Sequence, residues 1–404
     1  MATNFDFVSA GRIVFGAGRA AEAGDLARGF GNRCLLVRGK SAGVSRVAES
    51  LRAAGLNVCE VNGPPGEPDE TDVDAAVPLA RDARPDLIVA VGGGSVLDFS
   101  KAVAALVPQT ENAPVRDYLE GVGRGLTLSA DPLPLIACPT TAGTGAEVTK
   151  NAVISSKAGK FKKSLRDARM VPRVALVDPD LQAGAPRDVR VWSGLDALTQ
   201  NIEAFLSVRA TPMTDALSAR GVEAVRDGLT HLLNGDEAGA REPLALAALL
   251  SGLALANGGL GAAHGIAQAL GVYGVPHGLA CAVALPWVVA ENASRGGPAV
   301  RRRLAALARV HVFAHERLDA EHAVLRLVEW LARTGDDLDV PRLAGLPPRF
   351  PNLPALDEAG LTEIAAGARG NSLSGNPVPL SDTDMVELLR RMRDANDPAE
   401  ILRA

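Results

Sequence analysis

Cysteine is scarce in this chain of 404 residues: Cys34, Cys59, Cys138 and Cys281 stand far apart, in apolar surroundings, with no CxxC pair. That spacing excludes a disulfide-stapled scaffold and predicts four buried thiols in a reducing compartment. Neither sign of charge dominates. Forty-two Lys plus Arg face 47 Asp plus Glu, a formal net charge of -5, which excludes the electrostatic footprint of a nucleic-acid binder or of a protein held to a membrane by charge. A small-molecule partner is expected instead. Met1 to Phe7 lack the basic and apolar regions of a signal peptide, so the expected location is cytoplasmic. Repeats and low-complexity tracts are also missing. What remains is a globular composition, 47% hydrophobic and 22% charged with mean hydropathy +0.10, and enough length for two domains or one large α/β domain.

The tract from Pro243 to Ala290 carries no charge at all. By hydropathy it resembles one or two membrane spans. Asn257, His264, Gln268, Pro276 and His277 interrupt it, however, at a cost that lipid does not repay. Its wealth of small residues predicts closely packed core helices of a soluble protein.

Between Arg12 and Leu181 short aliphatic runs alternate with helical patterns. The runs are Arg33–Arg38, Asn57–Val61, Asp86–Val91, Leu133–Cys138 and Val174–Asp178, and the helical patterns include Ala42–Ala54 and Asp72–Ala83. This alternation predicts an α/β domain, a doubly wound parallel sheet, over residues 1–185. Past Asp188 the strand signals cease, and residues 186–404 are expected to form an all-helical domain.

Four segments carry chemistry. Val91-Gly92-Gly93-Gly94-Ser95 ends a buried strand and flows into a helix, a corner where backbone N–H groups and the helix dipole can hold a pyrophosphate. Pro139-Thr140-Thr141-Ala-Gly-Thr144-Gly follows another strand and reads either as a pocket lining or as a plain small-residue loop. On a helix Asp196 and Gln200 share a face, with Glu203 a turn further along. In the uncharged tract His264 and Gln268 stand four apart, and Pro276-His277-Gly278 follows. One carboxylate and two imidazoles in apolar helices suit a divalent ion, with the Gln200 amide oxygen as a weak fourth ligand; satisfied core histidines are the alternative. Only six histidines occur, and His231, His311, His315 and His322 read as surface or satisfied residues. Lys160, Lys162, Lys163 and Arg166 form a basic stretch, read as a solvated face or as an anchor for an acidic substrate.

Taken in order, the Gly92-Gly93-Gly94-Ser95 corner, the Pro139 to Thr149 loop, Ser193-Gly-Leu-Asp196-Ala-Leu-Thr199 and Val275-Pro-His277-Gly278 resemble the iron-containing (group III) alcohol dehydrogenase family, of the dehydroquinate synthase-like superfold. The resemblance extends to Asn376-Pro-Val-Pro-Leu-Ser-Asp-Thr-Asp384. It implies a nucleotide domain, a helical domain and a metal between them, with Gly92, Gly93, Gly94 and Ser95 on the cofactor pyrophosphate and Thr140, Thr141 and Thr144 lining the cofactor site. It also implies Asp196, His264 and His277 as ligands of Fe2+ or Zn2+, and a homodimer by analogy. Two positions depart from the family: Gln200 stands where a further histidine ligand is usual, and Gln268 where a histidine near the nicotinamide is usual. The first weakens the site and the second removes a titratable relay.

Cofactor choice is read at Arg38-Gly39-Lys40-Ser41, the end of the first βαβ strand. No carboxylate is present there to take a ribose 2′-OH, while Gly39 leaves room and Ser41, with Arg38 and Lys40, can meet a 2′-phosphate, so NADP is expected over NAD. The expected reaction is hydride transfer between NAD(P)H and a small aldehyde or primary alcohol, the metal polarising the oxygen and Asp196, His264, His277 and Gln268 forming the catalytic set. Three rivals stand beside it: a maleylacetate reductase-like enzyme for an acidic keto substrate, a lyase of the dehydroquinate synthase type, and a non-catalytic nucleotide-binding regulator.

Overall fold

The computed structural model describes residues 4–395 and 397–403. Two compact units divide the chain, Phe7–Arg190 and a second that runs from Val191 onward and takes in the residues just before Phe7. The change of unit thus falls at Arg190/Val191, a few residues beyond the expected 185/186 and inside a helix.

The first unit has eight strands: β1 (Arg12–Phe15), β2 (Arg33–Arg38), β3 (Asn57–Asn62), β4 (Leu87–Gly92), β5 (Leu135–Pro139), β6 (Asn151–Ser156), β7 (Phe161–Arg166) and β8 (Val174–Val177). Six form one sheet in the order β1-β8-β5-β4-β2-β3, every pair parallel. Its central strands are continuous apolar runs because both faces are covered. Leu35, Val37, Ile88 and Ala90 belong to one core, whereas Cys34, Leu36, Leu87 and Val89 belong to another, as the two-residue period of a strand requires.

Helices α1 (Ala23–Arg28), α2 (Val44–Ala53), α3 (Glu70–Ala83) and α4 (Gly94–Leu106) connect these strands. Helix α3 starts where Asp69 accepts from Thr71 N–H while the Asp72 carboxylate accepts from Asp69 N–H, a reciprocal cap. The antiparallel β6–β7 pair has no clear sequence signal: Lys162, Lys163 and Arg166 of the basic stretch lie on β7, and its polar residues hide the pattern. Lys162 pairs with Glu67 and Arg166 with Glu120. Cys59 departs from expectation too. It is exposed, because β3 is the outermost strand of the sheet.

Beyond β8 the described residues hold helices only: α5 (Arg187–Leu206), α6 (Pro212–Leu233), α7 (Arg241–Gly258), α8 (Ala262–Gly271), α9 (His277–Arg295), α10 (Gly297–Leu307), α11 (Ala320–Asp337), α12 (Glu358–Gly367), α13 (Asp382–Asp394) and α14 (Glu400–Arg403), with short 3-10 and π turns between some of them. The uncharged tract is divided among α7, α8 and α9. No single described helix is long and apolar enough to cross a membrane; α7 and α8 reach that length only together, and they bend by 103°. The apolar faces of α8 and α9 instead pack in one core with those of α12 and α13.

Candidate active site

The candidate cofactor corner lies at the C-terminal ends of parallel strands of the first unit. Strand β4 ends at Gly92, Gly93 is the N-cap of α4 with extended backbone, and no side chain caps that helix, so its first-turn N–H groups are available to an anion. The loop after β5 lies directly on this corner. A Cβ on Gly94 would stand 2.7 Å from the Thr144 side chain, and one on Gly93 would stand 3.2 Å from Thr141 Oγ1. Thr140 is buried, and its N–H donates to the Gly92 carbonyl at 2.9 Å. Ser95 is in the first turn of α4. Inside the same loop Glu147 is buried, and burial pushes its carboxyl up to about 7, against the pull of nearby Lys101.

At the end of β2, Gly39 N–H donates to Val91 O at 2.7 Å, and a Cβ on Gly39 would lie 3.1 Å from the Gly92 Cα. The expected 2′-phosphate contacts fare unequally. Arg38 is engaged by Glu60 at 2.8 Å, and the Ser41 hydroxyl donates to Leu181 O at 2.8 Å while accepting from Gly43 N–H. Lys40 is exposed.

The candidate metal ligands all lie in the second unit. Asp196 and Gln200 occupy successive turns of α5, His264 and Gln268 successive turns of α8, and His277 opens α9 with Cys281 one turn on. Ligand atoms of Asp196, His264, His277 and Cys281 all lie within 4.8 Å of one another. Asp196 Oδ1 is 3.4 Å from His264 Nε2 and 3.8 Å from His277 Nε2, and Cys281 Sγ is 3.8 Å from that same nitrogen.

Second contacts aim these groups. Glu203 takes His264 Nδ1–H at 2.6 Å and the N–H groups of Gly261 and Ala263 at 2.9 and 2.7 Å. Its carboxylate accepts, so Nδ1 donates and Nε2 faces the cluster. Asn376 Oδ1 accepts from Ala262 N–H at 3.2 Å, anchoring the same helix start. At α9 a Cβ on Gly278 would stand 2.3 Å from Trp192 O, so only glycine lets the His277 turn settle against α5.

Burial raises the Asp196 carboxyl, but the imidazoles of His277 and His264 outweigh it and hold the group below the usual carboxylate range. Burial opposes the His264 imidazolium, yet Cys281, Glu203 and Asp196 around it raise its pKa well above the ordinary value. Burial pushes the Cys281 thiol up to about 12.

Two buried atoms test whether this set fits a metal ion. Asp196 Oδ1 and His264 Nε2 have no hydrogen-bond partner among the described residues. Such orphaned polar atoms are costly in a dry interior, and a cation satisfies both at once. The set fits. Gln200 is buried beside Asp196, but its Oε1 lies 2.6 Å from Ser251 Oγ on α7. Gln268 is half-buried next to Gly370. The reading of the sequence left Cys281 out of the site; its one signal was the four-residue spacing from His277. His231, His311 and His322 pair with Asp236, Glu223 and Asp319, and His315 lies in a turn.

The sequence profile of the iron-containing alcohol dehydrogenases matches residues 10–179, and that of the Fe-containing alcohol dehydrogenase family, C-terminal, matches residues 190–393. The NAD-dependent methanol dehydrogenase of Bacillus methanolicus is 35% identical over 297 residues, 72% of this chain and 76% of its own. The lactaldehyde reductase of Escherichia coli (strain K12) is 33% identical over 347 residues, 85% of this chain and 87% of its own. The crystal structure of a 1,3-propanediol oxidoreductase superimposes with a TM-score of 0.85 at 28% identity, covering 96% of this chain and all of that one (100%). With family profiles spanning both units, the chain belongs to the iron-containing alcohol dehydrogenase family and is a metal-dependent, NAD(P)-linked alcohol dehydrogenase or aldehyde reductase.

Proposed function

We propose that the chain interconverts short neutral aldehydes and primary alcohols, prefers NADPH, and holds Fe2+ or Zn2+ on Asp196, His264 and His277. The observation that carries the metal assignment is the pair of orphaned buried atoms, Asp196 Oδ1 and His264 Nε2, facing each other at 3.4 Å. One carboxylate and two imidazoles suit a first-row ion of intermediate hardness. When bound, such an ion supplies a Lewis acid toward the substrate oxygen.

The protein's own groups do the rest. Glu203 keeps His264 in the Nδ1–H tautomer and so presents Nε2. Amides of Gly93, Gly94 and Ser95 receive the pyrophosphate, with Thr141 and Thr144 packed against the glycines and Thr140 beneath them. Gln268 is neutral; its amide orients a hydroxyl or water but gives up no proton near neutral pH, so the proton exchanges through water.

NADPH is favoured because β2 is followed by Gly39-Lys40-Ser41, a turn that carries no carboxylate. Lys40 carries most of the argument for the 2′-phosphate, since Arg38 and the Ser41 proton are already engaged. Neutral substrates are favoured over acidic keto acids on two grounds. The relatives named above are called a methanol dehydrogenase, a lactaldehyde reductase and a propanediol oxidoreductase, and Lys162 and Arg166, candidates for an acid anchor, are held by Glu67 and Glu120.

Binding of NADPH and NADH to the metal-loaded protein, followed by turnover of short aldehydes against keto acids, tests the proposal. Equal or tighter NADH binding removes the cofactor preference. Faster turnover of keto acids removes the substrate class.

A further inference from the structure

We infer that Cys281 is a ligand of the metal ion, filling the place that Gln200 leaves, so that the site offers one carboxylate, two imidazoles and one thiolate. This rests on the metal site proposed above and deepens it.

Position is the first argument. His277 and Cys281 stand one turn apart on α9, so both point to the same side of the helix, and Cys281 Sγ closes the four-member group within 4.8 Å. Separation is the second. Zinc–sulfur and zinc–nitrogen bonds of about 2.3 and about 2.0 Å at a tetrahedral angle set sulfur and nitrogen about 3.5 Å apart. The observed Sγ to Nε2 distance of 3.8 Å is close to that, as is the 3.4 Å between Asp196 Oδ1 and His264 Nε2.

The third argument comes from what surrounds the sulfur. Asp196 and His264 are buried, their side chains each 3% exposed, and the atoms they turn into the cluster lack hydrogen-bond partners among the described residues. Gln200, by contrast, has its carbonyl oxygen on Ser251. A side chain that merely filled the core around α9 would be served equally by alanine, which occupies positions 280, 282 and 284. The sulfur, buried in that core, lies instead among the ligand atoms of Asp196, His264 and His277.

Binding replaces the S–H bond with a sulfur–metal bond; the proton leaves to solvent and no electron is transferred. A thiolate also changes the choice of metal. It is a softer donor than imidazole or amide, and it biases the site toward zinc and away from iron.

The test uses the full-length protein, stripped with a chelator and then titrated with Co(II). The expected result is a near-ultraviolet sulfur-to-cobalt charge-transfer band that is absent in Cys281→Ser and Cys281→Ala, both checked for folding by circular dichroism. Zn(II) affinity in either variant falls by roughly 10-fold or more, at least the loss seen when a supporting contact is removed. One equivalent of cobalt bound without such a band, or a band that survives Cys281→Ser, overturns the inference and leaves Asp196, His264 and His277 standing as the site. Absence of any stoichiometric Co(II) or Zn(II) binding that His264→Ala abolishes overturns both. The spectrum of the unmodified protein decides the matter even if neither cysteine variant folds.

Discussion

Glu203 Oε2 lies 2.6 Å from Nδ1 of His264, and the same carboxylate accepts the two backbone N–H groups at the start of α8. One side chain therefore sets the helix start and the tautomer of the ligand it carries. Replacing it with glutamine keeps the shape but places an amide where a carboxylate accepted three hydrogens. Glu203→Gln is expected to lower metal affinity by about 10- to 100-fold, measured by competition with a chromophoric chelator. Unchanged affinity would mean that His264 is aimed by packing alone.

Gln200 and Gln268 each lie four residues from a metal-site residue on the same helix, Asp196 and His264 respectively. In the Cys281→Ala protein, Gln200→His is expected to raise the fraction of metal retained after dialysis, because an imidazole is a stronger donor than an amide. Gln268→His adds a group that titrates near neutrality, so kcat gains an inflection between pH 6 and 8, about the usual range of a histidine. A pH profile that stays flat in the Gln268→His protein would show that the proton does not pass this position.

The glycine at 94 is demanded twice, by the Thr144 side chain 2.7 Å from its would-be Cβ and by the approach of a pyrophosphate. The two demands can be separated. Gly94→Ala is expected to weaken NADPH binding by roughly 100-fold, the worth of two charge-assisted hydrogen bonds. Adding Thr144→Ala relieves the crowding without restoring binding. Restoration in the double variant would assign the glycine to loop packing only.

Glu147 supplies a pH dependence whose sign can be worked out. Its folded pKa, about 7, is raised above the ordinary carboxylate value by burial. Below about pH 4.5 the group is protonated in both states and costs nothing; between there and 7 the cost of ionising it in the interior grows, and above 7 it is fully present. Glu147→Gln removes that cost. The variant is expected to match the unmodified protein near pH 4.5 and to be more stable at pH 8 by up to about 3 kcal/mol. Scanning calorimetry at both pH values reads the difference, and a variant less stable at pH 8 would show that the carboxylate is needed in its ionised form.

The parallel sheet was legible because its strands are buried on both faces and so read as unbroken apolar runs, such as Leu87 to Val91. The β6–β7 pair was not, since Lys162, Lys163 and Ser164 interrupt its pattern, and the core that Ala152, Ile154 and Leu165 join is built mostly from residues distant in sequence. Asp196, His264 and His277 stood out because a charge or imidazole in an apolar helix calls for an explanation. Cys281 did not, because a thiol among alanines is unremarkable until the fold shows which face it occupies. Gly39 and the Gly92 corner were legible as residue types, but their closeness, which leaves a Cβ on Gly39 only 3.1 Å from Gly92 Cα, depends on the pairing of β2 with β4, on which the local sequence is silent.

The contact between position 278 and the carbonyl of Trp192 bears on how this site can be re-engineered. Helix α9 meets α5 backbone to backbone there, with 2.3 Å between a would-be Cβ and the Trp192 oxygen, so no rotamer change can absorb a larger residue. Asp196, four residues after Trp192, and His277, next to Gly278, are thus held at a separation set by main chain. A library that varies residue 278 would move His277 and Cys281 together and lose the donor set as a unit. One that varies Cys281 alone changes the donor chemistry on a frame that stays where it is.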